Sequence, residues 1–160
     1  MRVIAVILMI ICLAAAALTG YVYLNANVTV TGVDCVAADA ADMPEVFAAL
    51  RDQVKGETFT GTPFDVSGLG EASGYQFYTY TVQLTNRTFV DAEVAEVQVT
   101  PMNRDVLQAE ETSTRTIPAR GTGTARAVIL TEKGMHNVRE LIITYYLWGI
   151  PFSEKVTYSK

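Results

Sequence analysis

Apolar and polar positions change rhythm several times along the chain, and each change predicts an element. Residues 3–24, "VIAVILMIICLAAAALTGYVYL", run for 22 positions without a charge. At about 1.5 Å per residue a helix of that length spans roughly 33 Å, enough to cross a hydrocarbon core of about 30 Å. A short polar joint, residues 25–27, follows. "VTVTGVDCV" (28–36) then alternates, with β-branched residues at Val28, Val30 and Val33, as a strand does. Over 42–54 the period lengthens: Asp42 and Glu45 are spaced as a capping box, Pro44 suits a first turn, and Val46, Phe47, Leu50 and Val54 recur at helical spacing before Gly56. This predicts one short amphipathic helix, its stripe serving as a lid on the core.

Glycine, serine, threonine and proline dominate residues 58–74, which predicts a surface loop with a short strand at 57–60. The strongest alternation comes next, in "YQFYTYTVQLTNRT" (75–88). Tyr78, Tyr80, Val82 and Leu84 share one face and Thr79, Thr81, Gln83 and Thr85 the other. After a turn, Ala95, Val97 and Val99 alternate against Glu96 and Gln98, and further strands are expected at 105–109, 113–117, 124–130, 139–147 and 152–158. The last two form a hairpin about a turn holding Gly149 and Pro151, with Trp148 at its edge. Many short strands, turn signals between them and one helix predict a mainly β chain folded as an antiparallel β-sandwich. The expected organisation is a transmembrane segment at 1–24, a joint at 25–27 and a single domain at 28–160.

The opening run has two explanations. A secretory signal has an apolar centre of about 7–15 residues and small residues at its cleavage site, which Ala14 to Ala17 supply; that reading gives a secreted protein. Apolar character resumes after the alanines, through Leu18, Tyr21, Val22, Tyr23 and Leu24, with two tyrosines where an aromatic belt would sit, and this favours an uncleaved anchor. Arg2 precedes the span and the next basic residue is Arg51, so the positive-inside rule places the amino terminus in the cytoplasm and the domain outside. Cys12 does not suit lipidation, because Ile11 precedes it and the apolar stretch continues beyond it.

Charge and chemistry narrow the function further. The net charge is −5, and without Arg2 the remainder carries 11 basic against 17 acidic residues, which disfavours nucleic acid and anionic lipid as partners. The two cysteines, Cys12 in the span and Cys35 beyond it, are not expected to pair. His136 stands alone, so neither a zinc site nor any other cofactor is expected, and Asp34, Asp39 and Asp42 lack the order of a calcium loop. "GLGEASG" (68–74) lacks the helix a phosphate loop needs, and Ser73 lacks a nucleophile elbow. The carboxylate pairs Glu110–Glu111 and Asp91–Glu93 are common in an acidic chain, and without a cleft nothing is expected to raise their pKa. No enzyme is expected. Asn27 and Asn86 begin glycosylation sequons. Trp148 is expected first as a structural plug; the alternative makes Trp148, Ile150 and Phe152 a partner-binding tip, and Tyr75, Phe77, Tyr78 and Tyr80 are a candidate ligand-stacking set.

The segment "YTYTVQLTNRTFVDAEVAEVQV" (78–99), followed by "TIPARGTGTARAVI", resembles the small extracytoplasmic Ig-like domains of bacterial surface proteins, which include FxLYD-type modules and, more distantly, late-embryogenesis-abundant type 2 domains. In those domains an asparagine ends a strand, a valine-alternating strand follows, and an "IPxGxT"-like turn precedes another strand. Asn86, Val97, Val99 and Ile117-Pro118-Ala119-Arg120-Gly121-Thr122 match that pattern. The chain departs from it at "TPMNRD", where an aromatic–aspartate pair is expected, and in the added helix. The resemblance implies an Ig-like sandwich and a non-enzymatic, membrane-tethered module that contacts another envelope protein.

Overall fold

The computed structural model of the chain describes residues 2–66, 69–109, 115–134 and 138–159. Helix α1, Arg2–Leu24, contains an apolar stretch, Val3–Tyr21, long enough to cross a membrane, and none of that stretch is buried against the rest of the chain. Asn25 ends it: both its backbone N–H and its side-chain amide donate to the Tyr21 carbonyl, at 3.0 and 2.8 Å. That bonding satisfies a carbonyl the helix would otherwise leave open.

The rest of the chain is mainly β. Strands β1 (Val28–Asp39), β2 (Gly61–Pro63), β3 (Tyr75–Asn86), β5 (Asp105–Ala109) and β7 (Thr122–Glu132) form one antiparallel sheet in the order β1-β3-β7-β5-β2. Strands β4 (Ala92–Val99), β6 (Arg115–Ile117), β8 (Arg139–Leu147) and β9 (Ile150–Tyr158) form the other, in the order β6-β4-β8-β9. Period-two alternation lets each strand send alternate side chains inward. Tyr80, Val82 and Leu84 of β3 thus meet Leu141, Ile143 and Leu147 of β8, with Ile129 and Val99, in one core between the sheets.

A second core lies on the outer face of the five-stranded sheet. Helix α2, Pro44–Lys55, places Phe47 against Phe77, Leu107 and Leu130, and its ring stacks on Tyr75 at 5.6 Å. Burying one such ring is worth about 2–3 kcal/mol. The helix therefore docks on its own domain as a lid, although Val46, which the spacing placed in the stripe, points to solvent.

Local chemistry shifts several expected boundaries. Pro44 holds its predecessor out of the helical region. Met43, at φ −127° and ψ 57°, is consequently the N-cap, Asp42 closes a preceding 3₁₀ turn, and no capping box forms. At the other end Gly56 keeps φ −83°, and the left-handed residue is Glu57, at φ 54°. The short strand falls at 61–63 instead of 57–60, where it pairs with β5. In β4 a bulge between Val94 and Glu96 resets the alternation, and the buried set described is Ala92, Val94, Val97 and Val99; the side chain of Ala95, expected on that face, lies outside those described. Strand β7 extends two residues beyond 124–130 at each end, and β9 begins at Ile150. Strand β6 covers 115–117; residues 113 and 114, with Glu110, Glu111 and His136, lie outside the described residues.

Candidate functional site

The end of the sandwich beside α1 is organised by Asn86, which is fully buried. Its side-chain amide donates to the carbonyls of Val90, Ile117 and Pro118 at 2.8, 3.2 and 3.3 Å, and its carbonyl accepts the Thr88 N–H at 2.9 Å. Arg87 N–H donates to the Asn27 carbonyl at 2.9 Å, tying the joint to this loop, and Arg120 N–H donates to Thr88 at 3.0 Å. Asp91 accepts the Ala119 N–H at 2.8 Å. Close packing fixes the glycine of the facing turn, since a Cβ at Gly121 would lie 2.6 Å from Pro118 Cγ. Loops 87–91 and 118–121 are thereby held together, and a third, 148–149, lies beside them through the ring contact of Trp148 with Phe89.

The last of these is the turn of the β8–β9 hairpin. Trp148 and Gly149 both take positive φ, 52° and 76°, the combination of a two-residue type I′ turn. Glycine adopts it freely, whereas a residue with a Cβ pays about 1–2 kcal/mol. A bulky aromatic is thus held in a strained position, and it is not spent on packing: Trp148 is 55% exposed. Its ring stands edge-on to Phe89 at 5.8 Å, and Phe89, 47% exposed, lies 5.9 Å from Tyr21 of α1. On the other side of the hairpin Phe152 stacks on Tyr145 at 5.7 Å and meets Tyr23 at 5.6 Å. Two ring contacts thus join the end of α1 to the sandwich. Between Phe89, Tyr146 and Trp148 lies an open groove of about 390 Å³, with Asp91 and Glu93 on its rim.

The expected tip is therefore divided. Trp148 is an exposed turn residue, not a plug, while Ile150 and Phe152 are half-buried on the inner face of β9. The expected stacking set is not brought together either. Tyr75 and Phe77 face α2, and Tyr78 and Tyr80 face the other sheet, because odd and even positions of one strand oppose each other. Burial pushes the Tyr80 phenol well above its ordinary pKa; the nearby Cys35 adds to this and Arg139 opposes it, so the group stays protonated at neutral pH. Tyr21 was expected in an aromatic belt, whereas Phe89 and Tyr146 were not singled out in the sequence. The signal for Phe89 was present, since an aromatic residue sits in the short turn between β3 and β4 where small polar residues are usual.

Away from this end of the sandwich, Asp34 and Asp39 are already engaged. Asp39 accepts from Lys133 at 3.0 Å and Gln76 at 3.1 Å, and Asp34 accepts from Gln83 at 3.2 Å. Among the described residues no three His, Cys, Asp or Glu side chains converge as metal ligands would. Arg139 of β8 reaches across the core to Asp105 of β5 in a two-bond ion pair, both distances 2.8 Å, with both side chains buried. No protein-family model matches the chain, and no curated protein matches it.

Proposed function

We propose that the protein is a single-pass membrane protein whose extracytoplasmic, Ig-like domain works by contact with another envelope protein rather than by catalysis. The observation that carries this is the coupling of the domain to its span. A three-residue joint separates Leu24 from Val28, and rings of Tyr21 and Tyr23 pack on Phe89 and Phe152. A domain attached this way reaches only neighbours within about 40 Å of the bilayer, the length of its twelve-residue strands β1 and β3. Arg2 ahead of the span and no basic residue after it until Arg51 support the outward orientation. Asn86, bonded to the carbonyls of Ile117 and Pro118, joins the two segments on which the Ig-like resemblance rests.

The most exposed apolar side chains of the domain away from the α1 end are Val36 on β1, 66%, and Val46 on α2, 53%. Photo-crosslinking residues placed there in cells are expected to trap one discrete membrane-protein adduct, lost when residues 1–24 are exchanged for a cleaved leader. No adduct at either position, or the same adduct from the released domain, would overturn the proposal.

A further inference from the structure

Outside α1, the described large apolar side chains that are exposed are Val36, Val46, Phe89, Met102, Val138, Tyr146 and Trp148. All three aromatic ones lie at the end of the sandwich that touches α1. The three loops there, 87–91, 118–121 and 148–149, carry two arginines, Arg87 and Arg120, against one carboxylate, Asp91, in a chain whose net charge is −5. Asp91 already spends an oxygen on the Ala119 N–H, and Glu93, in β4, lines the groove beside Phe89 and Trp148 without belonging to these loops. Exposed aromatic rings with basic residues beside them are the composition of a headgroup layer contact.

The depth of this surface follows from the span. Val3–Tyr21 is 19 residues, about 28 Å of helix, so the Tyr21 ring marks the level at which α1 leaves a core of about 30 Å. Phe89 touches that ring, and Trp148 touches Phe89. We propose that this end of the sandwich is a second membrane contact: Phe89 and Trp148 lie in the headgroup layer of the leaflet that α1 leaves, with Arg87 and Arg120 toward lipid phosphates. The contact holds the domain upright, and it explains why a strained turn position carries an exposed tryptophan. It rests on the reading that α1 is retained as an anchor.

Trp148 is the only tryptophan of the chain, so its emission reports on this surface alone. The full chain, its intact mass checked so that α1 is present, is placed in phosphatidylcholine–phosphatidylglycerol nanodiscs with a quencher on the lipid headgroup, on the acyl chain end, or as iodide in the water. The headgroup quencher is expected to reduce emission about twofold or more, ahead of the other two. Emission untouched by either lipid label and quenched freely by iodide would overturn the proposal. A groove kept for a protein partner gives that second pattern, because purified nanodiscs hold no partner.

Discussion

Asp105→Ala is expected to destabilise the fold by about 3–5 kcal/mol, the usual cost of leaving one member of a buried ion pair uncompensated. The guanidinium of Arg139 has almost no exposed surface and, among the described residues, no other carboxylate bonded to it. Its Nε already lacks an acceptor among the described residues, so the pair gives up part of its attraction to desolvation. Replacing both partners by apolar residues, Asp105→Leu with Arg139→Met, should consequently recover most of the loss. About 1 kcal/mol is expected to stay missing, because Asp105 also accepts the Met102 N–H at 2.7 Å and thereby closes the turn before β5. Chemical denaturation of the full chain in mild detergent, followed by Trp148 emission, measures all three. A single variant costing less than about 1 kcal/mol would mean that water reaches the pair.

Asn86 is the second site where a small change should have a large effect. Asn86→Asp is nearly isosteric, yet it turns a donor toward three carbonyl oxygens into an acceptor. The carboxylate would face Val90, Ile117 and Pro118 without a proton to offer. Asn86→Ala loses the bonds and leaves buried carbonyls unmet, at about 2–3 kcal/mol; Asn86→Asp adds a buried charge and should cost more, about 4 kcal/mol. The ordering is the test. If Asp at position 86 were tolerated as well as Ala, loops 87–91 and 118–121 would not be organised by this amide. The same burial removes Asn86 from use as a glycosylation acceptor in the folded domain, whereas Asn27 is exposed.

What the sequence made legible depended on the range of the interaction. The apolar helix, the strand alternation of β3 and the existence of the β8–β9 hairpin are encoded by neighbours along the chain and appear as the pattern predicts. The hairpin's turn, however, is Trp148-Gly149, and Pro151, expected in it, pairs with Tyr146 inside β9. The bulge in β4 is equally local, but one inserted residue in an alternating run looks like continued alternation until the partner strand is known. The pairing of Arg139 with Asp105 joins residues 34 apart on different sheets, and no spacing rule connects them. The aromatic end combines α1, the β3–β4 loop and the β8–β9 turn. Trp148 was legible as a turn-edge residue, but its exposure follows from a type I′ geometry that only the paired strands reveal. The four aromatic residues of β3 were read as one surface because aromatic side chains suit stacking; a strand with cores on both faces sends them apart.

The proposed membrane attachment requires residues 1–24 to stay on the chain. The intact mass of the C-terminally tagged full chain, taken separately from membrane and soluble fractions after an alkaline wash, decides it. The account predicts the uncut 160-residue chain in the membrane fraction. A soluble species beginning after Ala17 would contradict it.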